Sequence, residues 1–252
     1  MKRISKLLAL GAFFILAAGV WLFSPGAGVP ILEYHQVVDD QEMYSISPAD
    51  FANQMEYLSR HGYTAISLKE FCDVKEGKYK LPAKPVIITF DDGYDDNYFT
   101  ALPIMERYGM RASVFVISGL VGEPDYLTWD QIRELAQRQI EIGSHTVNHV
   151  PLGQVDPAEC QQEVAESKQV IEAQLGKKVE FLTYPYGSFN AVAAETLRRA
   201  GYRGALTGVV GLNFSGDNTY MLKRINVPRP KLGLLEFRVR LFRALLYSKL
   251  GI

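Results

Sequence analysis

Beyond Val29, short apolar runs alternate with segments whose apolar residues recur every three or four positions. Val29–Tyr34, Tyr63–Leu68, Pro85–Phe90, Ala112–Ile117, Ile140–Ser144, Val179–Tyr184, Gly201–Gly208 and Tyr220–Val227 read as strands. Pro85–Phe90 is apolar nearly throughout, as a strand buried on both faces requires. Between these runs lie amphipathic helical patterns with recognisable ends. Ser47 precedes Pro48, Thr128 stands three residues before Gln131, and Asp156 precedes Pro157. Asn190 opens a further helix, and Gly176 stops the longest one. Side-chain oxygens at such positions satisfy the free amides of a first helical turn, and proline fits there without loss. Asp96–Gly109 is helical in pattern but carries an internal Pro103, which predicts a kink or break.

Alternation of strand and helix predicts a mainly parallel sheet with right-handed crossovers. Seven to eight strands in roughly 220 residues suggest a closed α/β barrel, with an open doubly wound sheet as the runner-up. No linker divides this body. The chain is therefore expected to hold a leader over 1–28, one catalytic domain over 29–230 and an amphipathic helical tail over 231–252.

The leader changes the picture of where the protein works. Lys2, Arg3 and Lys6 precede Leu7–Phe23, 17 residues without a charge. A basic start before such a run is an export signal, and the run is long enough to remain as a membrane anchor. The expected location is extracytoplasmic, anchored or secreted, with the membrane as a partner through this N-terminal helix. The remaining chain holds 24 basic against 28 acidic residues. That balance excludes a general nucleic-acid binder. Apolar residues make up 48% of the chain, enough for a core. Cys72 and Cys160 are too few for a disulfide framework and lack the spacing of a zinc knuckle. A monomer is expected.

The unusual polar residues gather where the strands end. Pro85–Phe90 runs into Asp91-Asp92-Gly93, and Ile140–Ser144 into His145, with His149 four residues on. Val179–Tyr184 runs into Pro185-Tyr186-Gly187, and the first strand ends at His35. In a parallel barrel these positions share one face, the face on which active sites are built. Each cluster alone has a bland reading, as a turn or as surface residues; their coincidence does not. Two imidazoles and a carboxylate suffice to hold a divalent metal with open positions. The pair reaches one ion if the loop after His145 turns helically. One aspartate is then a ligand, and the other is free to act as base toward water that the ion acidifies. Tyr186-Gly187 could offer a backbone N–H to a developing oxyanion. These parts describe metal-assisted hydrolysis of an amide or ester.

Thr89-Phe90-Asp91-Asp92-Gly93, Ser144-His145-Thr146-Val147-Asn148-His149 and Tyr184-Pro185-Tyr186-Gly187 together resemble the motifs of the polysaccharide deacetylases, carbohydrate esterase family 4, with the NodB-like domain. The similarity spans roughly Val29 to Val227, and the Tyr34-His35 pair is similar to the poly-N-acetylglucosamine deacetylase subgroup. The resemblance implies a distorted (β/α) barrel and hydrolysis of N-acetyl groups on a glycan. It implies Asp91 as base, with Asp92, His145 and His149 holding the metal. Zinc is the ion it implies, with cobalt or nickel as alternatives. Tyr186 would supply the oxyanion N–H. Two positions depart from the family. Its base-orienting arginine falls on Thr183, and no histidine follows His149 to serve as the late acid.

His35 is the candidate acid, against a bland reading as a packed rim histidine. Trp129 is a candidate sugar-stacking surface, against a reading as a core or pocket-wall aromatic. Arg224 is a candidate substrate contact, against an ordinary salt bridge. His61 is expected at the surface. The leading expectation is an exported, metal-dependent deacetylase of a polysaccharide containing N-acetylglucosamine. The alternatives are a non-catalytic glycan-binding protein of the same fold and a metal amidohydrolase of small C–N substrates.

Overall fold

The computed structural model describes residues 28–40 and 42–250. The expected N-terminal helix lies outside these residues. Eight strands are present: β1 Ile31–Tyr34, β2 Thr64–Ala65, β3 Pro85–Phe90, β4 Ser113–Val116, β5 Glu141–Ser144, β6 Phe181–Thr183, β7 Gly204–Val210 and β8 Leu222–Asn226. All pair in parallel. The order β1-β3-β4-β5-β6-β7-β8 returns to β1, so seven strands close a barrel. β2 adds two residues beside the start of β3. The closed α/β barrel is therefore the fold, and the open sheet is excluded by pairing of β1 with both β3 and β8.

Among the described residues seven helices surround the strands: α1 Pro48–Arg60, α2 Leu68–Lys75, α3 Leu102–Arg107, α4 Trp129–Gln137, α5 Pro157–Leu175, α6 Ala191–Arg199 and α7 Leu234–Leu250. The caps read from sequence are present. Ser47 accepts from Asp50 N–H, and Thr128 and Gln131 form both bonds of a capping box. Asp156 and Asn190 cap α5 and α6, and Gly176 ends α5 with φ 63°.

One segment differs from expectation, and another breaks where expected. The strand expected over Tyr63–Leu68 keeps only Thr64–Ala65, because Ser67 and Glu70 form a capping box that starts α2 at Leu68. The pattern around Pro103 divides. Asn97–Ala101 forms one wide turn, in which Leu102 N–H reaches Asn97 O, and α3 then begins. Pro103 thus sits in the first turn of a new helix, where its missing N–H costs nothing.

The two-residue period of the strands sorts the core into two layers. Ile31, Ile87, Phe115, Phe181, Leu206 and Leu222 share the cluster inside the barrel. Leu32, Ile88, Val114, Val116, Leu182 and Ala205 join the larger cluster between barrel and helices. Following the inner parity toward the carboxyl ends meets Glu33 after Ile31, Thr89 and Asp91 after Ile87, Thr183 after Phe181 and Arg224 after Leu222. The barrel interior is thus apolar at its base and polar at its mouth. α7, the expected tail helix, packs on the barrel through Phe237 and Ala244, both fully buried.

Gly143 on β5 makes room for this interior. A β-carbon there would run into the Phe115 ring and stand 3.1 Å from Phe181 O. Gly143→Ala is expected to destabilise the fold by about 1–3 kcal/mol, as overpacking of a closed core does. Chemical denaturation checks this; an unchanged midpoint would mean that Phe115 is free to move aside.

Candidate active site

Asp91 and Asp92 follow β3 directly. In an extended strand, neighbouring side chains point to opposite faces. Here Asp92 and Gly93 both turn left-handed, with φ 71° and 79°. That turn brings two adjacent carboxylates to the barrel mouth. Position 93 must be glycine for space as well, since a β-carbon would stand 2.9 Å from Val116 Cγ1. Among the described residues six non-glycine positions have positive φ, and four of them are Asp92, Thr146, His149 and Tyr186. Such conformations cost energy and gather where geometry serves chemistry.

His145 directly follows β5, and its Nδ1 lies 2.8 Å from Thr183 O, where it donates. That bond leaves its Nε2 as a lone pair facing the mouth. His149 Nε2 stands 3.1 Å from it, and both nitrogens lie 3.4 Å from Asp92 Oδ1. The loop that brings His149 back is not a helical turn. Val147 and Asn148 both donate their amides to Glu163 Oε2, at 2.8 and 2.9 Å, and Asn148 Nδ2 donates to Glu163 Oε1. Glu163, buried on α5, thus ties the loop into a tighter fold.

Asp92 Oδ1 is buried and has no hydrogen-bond partner. A buried lone oxygen beside two imidazole nitrogens is costly unless something positive joins them. Three donors each about 2.1 Å from one tetrahedral ion would stand about 3.4 Å apart. The observed spacings fit, so Asp92, His145 and His149 form a possible site for a divalent metal.

Asp91 is 2% exposed and is gripped from below. Arg224 Nη1 donates to Oδ1 at 2.9 Å, and Nη2 stands 2.8 Å from Oδ2. Burial opposes the Asp91 charge, but the Arg224 guanidinium and then His145 more than reverse it, holding the carboxyl below its usual range. Arg224 also lies 3.2 Å from Glu33, whose carboxyl is pushed up by burial despite that arginine. Arg224 is itself 2% exposed. Its fork is occupied by Asp91 and Glu33, so the expected glycan contact through Arg224 is replaced by an internal ion pair. The guanidinium missing at Thr183 comes instead from β8. Thr183 holds His145, its Oγ1 lying 2.5 Å from Nδ1.

The other candidates divide. A donor atom of His35 lies within 4.8 Å of Glu33 and Asp91, and its ring lies 4.9 Å from Tyr44. Tyr186 is 75% exposed, and its ring lies 4.6 Å from that of His149. Trp129 opens α4 and packs half-buried against the outer core. His61, at the end of α1, stacks on Tyr57, as expected of a surface position.

Sequence reasoning missed Glu33, Glu163, Asp96, Asn97 and a stacked pair, Tyr94 and Tyr126, with ring centroids 5.1 Å apart. The Asp91–Asn97 run held a usable signal, being dense in polar residues directly after a buried strand. Asp96 Oδ1 accepts from Val37 N–H at 2.7 Å, and Asn97 Nδ2 donates to His35 O at 2.9 Å. These two side chains clamp the backbone that carries His35.

A sequence profile of the polysaccharide deacetylase family matches residues 78–205. The Bacillus subtilis protein YxkH, whose polysaccharide deacetylase name is itself provisional, is 33% identical over 201 residues. That match covers 80% of this chain and 72% of the relative. The chain belongs to the polysaccharide deacetylase family. It is a hydrolase acting on carbon–nitrogen bonds of polysaccharide N-acetyl groups. The poly-beta-1,6-N-acetyl-D-glucosamine N-deacetylase of Escherichia coli is 27% identical over 234 residues, covering 75% of this chain and 34% of that protein. The chain thus spans about a third of the length of that relative. The structure of the Streptococcus pyogenes deacetylase PplD in complex with acetate superposes with a TM-score of 0.78 at 27% identity. It covers 86% of this chain and 98% of that one.

Burial raises the Asp96 carboxyl to about 6, against the pull of the Val37 amide and Asn97. A carboxyl raised in the folded state contributes stability at low pH that is lost as pH rises through about 6. Asp96→Asn keeps an acceptor for Val37 and removes the charge. The variant should match wild type near pH 4 and gain at most about 3 kcal/mol by pH 8. Thermal denaturation at the two pH values checks this, and an equal effect at both would refute it.

Proposed function

We propose that this protein is an exported, metal-dependent N-deacetylase of a polysaccharide containing N-acetylglucosamine. The observation that carries the reading is the convergence of Asp92, His145 and His149 beside a carboxylate, Asp91, that Arg224 keeps ionised. Zinc suits two imidazoles and a carboxylate, and cobalt and nickel suit them too. Bound there, the ion supplies Lewis acidity, polarising the acetyl carbonyl and making water a stronger acid.

Asp91 takes a proton from the attacking water, whose oxygen joins the acetyl carbon. Its fixed carboxylate needs no reorientation, because both oxygens are held by one planar guanidinium. The Tyr186 amide donates to the oxygen that gains charge. The C–N bond then breaks, and His35 gives its proton to the departing nitrogen. Acetate and a free amine on the sugar are the products. His35 suits the acid role because it neighbours Asp91 at the mouth and its backbone is clamped by Asn97. The non-catalytic reading drew on the arginine missing at Thr183 and on the histidine missing after His149; Arg224 stands in for the first and His35 is the candidate for the second. The assigned groups all come from one chain, so a monomer suffices. The E. coli relative's name favours a poly-N-acetylglucosamine substrate over peptidoglycan or chitin-like oligomers. The uncharged run Leu7–Phe23 favours export, with the run kept as an anchor.

Acetate release from the three polymers by metal-replete protein tests the reading. Asp91→Asn should lose activity and keep its metal, whereas Asp92→Asn or His149→Ala should lose the metal itself by elemental analysis. His35→Ala should turn over slowly with its metal content intact. Absence of acetate from every polymer would overturn the reading, and normal metal content in Asp92→Asn and His149→Ala would overturn the ligand set.

Arg224→Lys keeps the charge but cannot fork both oxygens of Asp91. Loss of that fork should slow acetate release by about 10–100-fold, the worth of a charge-assisted hydrogen bond. Metal content should stay unchanged. Wild-type turnover in this variant would show that the Asp91 carboxylate needs no such grip.

A further inference from the structure

α7 carries apolar residues on two sides. Phe237 and Ala244 face the barrel. Leu235, Val239, Phe242 and Leu250 are 57%, 54%, 45% and 55% exposed. Their spacing places them on one stripe of the helix, directed away from the barrel. Arg238 and Arg243 flank the stripe, both exposed. Neither joins an ion pair among the described residues, whereas Glu236, the one acid of the helix, is taken by Arg240. The helix holds four basic residues to one acidic, within a body that is acidic on balance.

The position of α7 is as telling as its surface. It starts beyond the carboxyl end of β8. Its last turn reaches the opposite end of the barrel, where Ser248 Oγ accepts from Leu212 N–H at 2.9 Å. The next residue, Asn213, exchanges backbone bonds with Val29 at 2.7 and 3.0 Å. Val29 is where the chain arrives from Leu7–Phe23. The end of α7 and the arrival point of the apolar run therefore share one corner of the molecule.

An apolar stripe with cationic flanks suits a helix lying in the headgroup layer of an anionic bilayer. No described helix is long and apolar enough to cross a membrane, so α7 would lie on the surface. We propose that α7 is a second membrane contact, seated on anionic lipid through Leu235, Val239 and Phe242, with Arg238 and Arg243 at the lipid phosphates. This deepens the anchor reading above and rests on it for where the lipid lies. Two contacts fix an orientation that a single one leaves open. α7 spans the height of the barrel, so the barrel axis lies along the membrane and the mouth opens sideways over it. Glycan strands emerging at the membrane surface would then meet the site edge-on.

The test uses full-length protein carrying Phe242→Cys, labelled with an environment-sensitive fluorophore. Gln169→Cys on α5, across the barrel beside β5, is the control. The two native cysteines are buried and stay unlabelled. Each protein is mixed with phosphatidylcholine vesicles, with and without phosphatidylglycerol, and flotation is measured beside emission. The label at position 242 should shift to the blue with phosphatidylglycerol present, while the label at 169 stays water-like. Arg238→Ala combined with Arg243→Ala should move the docked-to-undocked ratio about 30-fold toward undocked, roughly fivefold per arginine. Floated protein with a water-like label at 242 overturns the α7 contact and leaves the anchor standing. A blue shift without lipid that grows with protein concentration assigns the face to a second copy and also overturns it. Protein that shifts but floats only with phosphatidylglycerol overturns the anchor and supports α7. Protein that neither shifts nor floats overturns both.

Discussion

A guanidinium buried in the barrel mouth is the constraint on which the site depends. Arg224 is almost wholly buried, so its charge must be answered by carboxylates within hydrogen-bond reach. Asp91 answers it with both oxygens and Glu33 with one. That pairing fixes Asp91 on the barrel axis side of β3 and keeps it ionised. It also joins β1, β3 and β8, the three strands whose pairing closes the ring. Closure of the barrel and placement of the base are thus one arrangement.

The remaining donors are placed by interactions of the same kind one layer further out. Thr183 O fixes the His145 tautomer, and Glu163 accepts the two amides that bend the following loop. Asn97 and Asp96 hold the backbone on either side of Gln36. Left-handed conformations at Asp92, Thr146, His149 and Tyr186 are sustained because these bonds leave the chain little alternative. The result is a small cluster of charges held rigidly before any ligand arrives. Such preorganisation spares the reaction the cost of reorienting dipoles.

Much of the fold was legible from periodicity and end signals. The strand Pro85–Phe90 and the caps at Ser47, Thr128, Asp156 and Asn190 stand where the pattern put them. The irregular segments have local causes. At Ser67, a capping box shortened a strand that hydrophobicity alone would have continued. At Pro103 the expected break is present, made by a wide turn directly before a new helix. The two histidines meet without the helical turn that a spacing of four would suggest, and nothing in the sequence ties Val147 to Glu163, sixteen positions on.

The sequence by itself determined the alternation of strand and helix, the family motifs and the gathering of Asp91, Asp92, His145 and His149 at strand ends. Those features are local, written in periods of two and of three to four and in short runs. The origin of the guanidinium at Asp91, the pairing of Arg224 with carboxylates in place of a substrate contact and the orphaned Asp92 oxygen were decided only by the tertiary structure. Asp91 and Arg224 lie 133 positions apart, and no local pattern carries the register by which β8 meets β1. The sequence chose which residues face inward; closure of the barrel chose which of them touch.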